Sequence, residues 1–263
     1  MRKAGTIFTL LWLLSTTAFA HAHETGFLDR TVTIGAETYR FEVFVPANWD
    51  KHKKWPVVLF LHGAGERGDD GLLPTDVGIG HAIRQKPANW PMIVVMPQCR
   101  MGSLWTDSPM QAQALSALKQ SIREFHGDPQ RVYLTGLSMG GYGTWDIGAK
   151  YPHTFAALVP ICGGIRAPAD FPDLRVSLVN DPSVSDPYLE TARRIGKTPV
   201  WIFDGADDPT VPAQESHKMM EAGSNAKGDF RMIEFPGVGH NSWDLAYGNS
   251  GLVPWLLEQR LLK

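Results

Sequence analysis

Hydrophobic positions along the chain follow two patterns. From Phe27 to Val45 they recur at every second residue: Val32 and Ile34 precede Gly35-Ala36, and Tyr39, Phe41, Val43 and Val45 follow it. A period of two on both sides of a glycine turn predicts an antiparallel hairpin. Trp55–Leu61 is instead an unbroken apolar run, and the same pattern returns in Met92–Met96, Phe155–Val159, Val200–Phe203 and, interrupted by Arg231 and Glu234, in Phe230–Phe235. Short continuous runs of this kind suit strands buried on both faces of a parallel sheet. Between them lie helical stretches. The clearest spans Pro109 to His126, with Leu115, Leu118, Ile122 and Phe125 along one face, Pro109 in the first turn and Asp107 or Ser108 placed to cap it. A hairpin followed by alternating strands and helices predicts an α/β chain with a mostly parallel sheet and helices on both sides.

The first twenty residues do not belong to this pattern. Arg2 and Lys3 precede an apolar run from Ile7 to Leu14, and Ala18-Phe19-Ala20 closes the segment. A basic start, a short apolar core and Ala-x-Ala are the marks of a secretory signal peptide, with cleavage expected after Ala20 and Ala22 as the competing site. The apolar run is too short to span a bilayer comfortably, and no cysteine follows it to carry a lipid anchor. The expectation is a periplasmic or secreted protein without a stable membrane anchor, whose residues 21–263 form a single α/β domain. Of 25 basic and 27 acidic residues, the leader removes two basic ones. The slightly acidic remainder has no basic cluster and gives no reason to expect nucleic acid as a partner.

Chemistry concentrates where the strands are expected to end. Arg131–Thr135 is β-prone and runs into Gly136-Leu137-Ser138-Met139-Gly140-Gly141, followed by a helical stretch. Strand, sharp turn and helix form the context of a nucleophile elbow, with Ser138 at its tip and glycines on either side. After Leu61 comes His62-Gly63-Ala64-Gly65-Glu66-Arg67-Gly68, a loop able to point backbone amides at a developing oxyanion. Ala64 and Met139 are the expected donors, with Gly65 as the alternate to Ala64. His62 is expected to brace this loop, and Glu66 and Arg67 to form an ion pair that stiffens it. After Phe203 stand Asp204, Asp207 and Asp208, and after Phe235 stands His240 in a glycine-rich loop. The chain order nucleophile, acid, histidine is one of the known orders of a Ser-His-acid triad. Asp208 is preferred over Asp207 as the acid, and Asp204 is assigned to the strand end.

Taken together, Leu61–Gly68, Met96-Pro97-Gln98-Cys99, Gly136–Gly141, Gly205-Ala206-Asp207-Asp208 and Gly239-His240-Asn241-Ser242-Trp243 resemble the α/β-hydrolase superfamily. The similarity is to the branch of esterases, polyhydroxybutyrate depolymerases and dienelactone-hydrolase-like enzymes. The resemblance implies a sheet of about eight strands with the second antiparallel, and a serine carboxylesterase acting on a small ester, a sugar ester or a polyester. It also favours Asp208, because the family's acid commonly stands three residues after the glycine. In the family's strand order two strands separate the ends near Cys99 and Cys162, about 14 Å at ~4.8 Å per strand, so two free thiols are expected. No cluster of His and Asp has metal-ligand spacing, and neither a metal nor a cofactor is expected.

The stretch from Gly163 to Thr198 is longer than in compact relatives, with four prolines and a helical Tyr188–Ile195, and reads as a lid or a binding wall, or else as a surface excursion. Trp105 and Trp243 are candidate pocket walls. A serine peptidase of prolyl-oligopeptidase type, or a non-catalytic polymer-binding protein on a hydrolase scaffold, are the competing readings. The sequence leaves oligomeric state open.

Overall fold

The computed structural model describes residues 24–261; the leader and its cleavage site lie outside the described residues. Eight strands form one sheet: β1 (Gly26–Ile34), β2 (Glu37–Val45), β3 (Trp55–Leu61), β4 (Ile93–Pro97), β5 (Gly127–Leu137), β6 (Ala157–Ile161), β7 (Val200–Gly205) and β8 (Phe230–Phe235). Their order is β1-β2-β4-β3-β5-β6-β7-β8. β2 pairs antiparallel with both β1 and β4, and every other pairing is parallel. The hairpin is thus the antiparallel edge of a parallel sheet. Its turn is the expected Gly35-Ala36, with Gly35 at φ 61, a left-handed conformation open to glycine.

Strand β3 shows why the central runs lack alternation. Val57, Leu59 and Leu61 join the core on one face and Val58 and Phe60 the core on the other, all fully buried. The first core is covered by α2 (Ser108–Glu124), α3 (Met139–Lys150), α4 (Pro187–Ile195) and α5 (Gln214–Asn225). The second lies under α1 (Gly78–Gln85), α6 (Trp243–Asn249) and α7 (Leu252–Glu258). Among the described residues, no helix is long and apolar enough to cross a membrane.

The expected face of α2 packs on the first core, with Leu118 and Phe125 buried, Leu115 and Ile122 half-buried, and Met110, Ala114 and Ala117 added to it. One local expectation is corrected. Asp107 occupies the cap position, but its carboxylate turns back to accept from the Leu104 amide at 2.8 Å and leaves the helix uncapped by a side chain.

Candidate active site

Three strand ends converge at one edge of the sheet. Ser138 caps α3 with φ 52 and ψ −116, a backbone conformation that costs a non-glycine residue of order 1–3 kcal/mol and that packing must hold in place. The glycines around it are there for lack of room. A Cβ on Gly140 would lie 1.9 Å from the Leu61 carbonyl oxygen, and one on Gly136 would lie 2.3 Å from that of Gly140. Both obstacles are backbone, so they cannot rotate away. Gly140→Ala is therefore expected to destabilise the fold by about 3–5 kcal/mol, read as a lowered urea midpoint. A variant within about 1 kcal/mol of the parent would contradict this packing.

Ser138 Oγ lies 2.9 Å from His240 Nε2, and His240 Nδ1 lies 2.6 Å from Asp208 Oδ2. The other carboxylate oxygen, Oδ1, accepts from the Thr210 and Val211 amides at 2.8 and 3.0 Å. Asp208 is thus anchored at one oxygen and presents the other to the imidazole. Its side chain is wholly buried, whereas that of His240 keeps 22% exposure toward the cavity. Asp207 is exposed. Asp204 faces away at the end of β7, where it accepts from Ser216 Oγ at 2.6 Å and burial pushes its carboxyl up to about 7.

Ala64 and Met139 each open a helical turn, the first a short 3-10 turn and the second α3. First-turn amides have no partner within their own helix. Ala64 lines the cavity above Ser138, and Met139 follows Ser138 directly with its side chain buried. Below the loop, His62 is fully buried. Its Nδ1 meets the Gly63 carbonyl at 2.6 Å and its Nε2 accepts from the Cys99 amide at 3.0 Å. This is the bracing expected of it.

Burial pushes the His62 imidazole down to about 4, so the folded protein keeps it neutral. An unfolded chain titrates the ring near ~6.5. Between those values only the unfolded state takes up the proton. The contribution is complete above ~6.5, falls with pH, and is lost below the folded value, about 3 kcal/mol in all. The stability difference between the parent and His62→Gln should therefore shrink by about 2–3 kcal/mol from pH 7.5 to 4.5 in urea titrations. A constant difference would show that the ring is not held neutral.

Two expectations for this loop and its neighbour fail. Trp105 is no pocket wall: it is fully buried, its Nε1 donates to the His62 carbonyl at 2.9 Å, and its ring stands edge-on to His62. It supports the loop from the core side. Glu66 and Arg67 do not pair. Arg67 Nε turns to the Ala64 carbonyl at 2.9 Å, and burial pushes the Glu66 carboxyl up.

Trp243 does stand at the site, its ring at 89° and 5.5 Å from that of His240. With Gly63–Glu66, Leu137, Ser138, Thr210, Val211 and His240, it lines a cavity of about 210 Å³ that Pro168, Phe171 and Leu174 close from the far side. The Gly163–Thr198 stretch is thus a wall of this cavity. Two buried carboxylates hold it down. Asp146 of α3 accepts from the Ser177 amide at 2.7 Å, and Glu215 of α5 accepts from the Ile165 and Arg166 amides at 2.9 Å and from Tyr188 at 2.6 Å. A larger cavity of about 840 Å³ lies between α1 and the α6–α7 pair, but it contains no nucleophile beside a base. The chemistry therefore belongs to the smaller one.

Cys99 and Cys162 are buried free thiols, with β3 and β5 between their strands. One juxtaposition was not foreseen: Cys162, Asp208 and His240 bring potential ligand atoms within 4.8 Å of one another. Sequence spacing alone does not show it, because the three residues follow three different strands, Cys162 after β6, Asp208 after β7 and His240 after β8.

The sheet order and the elbow make this an α/β-hydrolase fold. Residues 97–243, more than half of the chain, match the dienelactone hydrolase family, and the chain belongs to that family. It is similar to the crystal structure of a thermostable esterase, 31% identical with a TM-score of 0.74, over 89% of this chain and 63% of that one. A ferulic acid esterase shares the fold with a TM-score of 0.66 at 19% identity, over 88% and 97% of the two chains. A 58-residue stretch is 45% identical to poly(3-hydroxyalkanoate) depolymerase C of Paucimonas lemoignei, covering 20% of this chain and 14% of that protein. The chain thus spans less than two thirds of the length of either the thermostable esterase or the depolymerase.

Proposed function

We propose that the protein is an exported serine carboxylesterase in which Ser138, His240 and Asp208 act as a catalytic triad. The hydrogen-bonded row from Ser138 Oγ through His240 to Asp208 carries the proposal. His240 Nε2 takes the Ser138 proton as Oγ attacks an ester carbonyl, and Asp208 holds the Nδ1–H tautomer and stabilises the imidazolium. The Ala64 and Met139 amides receive the oxyanion. The imidazolium then protonates the departing alcohol, and a water activated by the same ring releases the acid from Ser138.

Apart from Ser138, His240 and the Ala64 loop, the cavity is chiefly apolar, with Phe171, Leu174, Val211 and Trp243 as its walls, and it is small for a ligand pocket. Short acyl chains fit it best. Similarity to proteins named esterase and polyester depolymerase supports carboxylic esters as the substrate class. The basic start and Ala-x-Ala of the leader support export to the periplasm or beyond.

A fluorophosphonate probe should add once, at Ser138, as located by peptide mass spectrometry. The same preparation should cleave p-nitrophenyl acetate and butyrate at least about tenfold faster than the palmitate, and leave a peptide anilide intact. A folded protein that does not take the probe would exclude the hydrolase reading in favour of a binding protein.

A further inference from the structure

In the sheet, β6 lies between β5, which ends at the nucleophile, and β7, which leads to the acid. The residue just past β6 therefore arrives behind the catalytic row. That residue is Cys162, fully buried and held at φ 40. Its Sγ, a carboxylate oxygen of Asp208 and a ring nitrogen of His240 lie within 4.8 Å of one another. The fully buried Ser242 places its hydroxyl beside the thiol, and among the described residues Ser242 Oγ has no hydrogen-bond partner of ordinary geometry. Sulfur, imidazole nitrogen and carboxylate oxygen are the donors that tetrahedral zinc selects, and a buried hydroxyl or a water can complete the set.

We propose that Cys162, Asp208 and His240 form a site for a thiophilic divalent cation of the Zn²⁺ or Cd²⁺ class, whose occupation switches the enzyme off. Tetrahedral bonds of about 2.0–2.3 Å put neighbouring donors about 3.5 Å apart. The sulfur lies within 4.8 Å of both other donors, and the 2.6 Å contact between His240 and Asp208 has to widen by about 1 Å, so small side-chain shifts close the set.

On binding, bonds form from the cation to Sγ, Nδ1 and a carboxylate oxygen. The thiol proton leaves to solvent, and the Nδ1 proton is exchanged onto Nε2, so one proton is released per cation. With Nε2 protonated, His240 has no lone pair for Ser138. The loss of activity rests on the hydrolase reading above, whereas the binding does not.

Tag-free protein titrated with Cd²⁺ should develop one thiolate-to-cadmium charge-transfer band, saturating at one cation per chain. Cys99→Ala and Ser138→Ala should keep the band, and Cys162→Ser should lose it. Zn²⁺ should inhibit ester hydrolysis by the parent, reversibly with EDTA. Cys162→Ser should hydrolyse esters as the parent does but need at least about tenfold more Zn²⁺ for half inhibition. Absence of the band from the folded parent, its survival in Cys162→Ser, or unchanged Zn²⁺ sensitivity in that variant would each overturn the site. If Cys162→Ser does not fold, the band in Cys99→Ala still decides, because the chain has two cysteines. A band without esterase activity would leave the site standing and remove the hydrolase reading.

Discussion

Replacing Ser138 by alanine is expected to lower kcat for p-nitrophenyl butyrate by roughly a millionfold, about 8 kcal/mol of transition-state stabilisation. The reason is geometric. No other hydroxyl replaces Oγ at 2.9 Å from His240 Nε2, and the variant retains only what the loop amides and the cavity contribute. Alanine keeps the same backbone strain at φ 52, so thermal unfolding should stay within about 1 °C of the parent. KM should change little, because the cavity walls are untouched. A variant retaining a tenth of parental turnover would require another nucleophile and would sink the triad.

Asp208→Asn should cost about ten-thousand-fold in kcat, through the histidine tautomer. The Thr210 and Val211 amides need an acceptor, so the asparagine carbonyl will take the place of Oδ1. Its NH2 group then faces His240 Nδ1, which must become the acceptor, and the ring proton moves to Nε2. That nitrogen can no longer receive the Ser138 proton. Asp204→Asn is the control: its hydrogen bonds go to Ser216 and its own strand end, and kcat should fall less than about threefold. Equal losses in the two variants would mean that the acid has been misplaced. Steady-state kinetics on both, side by side, make the comparison.

The fold was legible wherever burial on both faces or on one leaves a period in the sequence. β3 begins and ends where its apolar run does, β8 keeps the expected bounds although Arg231 and Glu234 leave it partly exposed at the sheet edge, and the glycine turn sets the hairpin. The Ser138 elbow was legible because backbone crowding restricts its neighbours to glycine. Other features carry no such mark. Trp105 could serve a pocket or a core equally well by composition, and only the path of the chain after β4 puts it under His62. Glu66 and Arg67 are adjacent in sequence, yet the 3-10 turn directs the arginine to the Ala64 carbonyl. Pro168, Phe171 and Leu174 lie in an aperiodic stretch. Their place in the wall follows from the hydrogen bonds that Asp146 and Glu215, distant in sequence, make to that stretch.

Those two tethers also divide the labour within the molecule. Pro168, Phe171 and Leu174, which line the far side of the cavity, all enter between β6 and β7, as one continuous insert fastened at Ser177 and at Ile165-Arg166. Ser138, His240 and Asp208 lie outside it and take no hydrogen bond from it. The insert is in this sense an exchangeable cassette. Grafting a shorter or longer one onto the same two anchor points would retune which esters are accepted and leave the reacting atoms where they are.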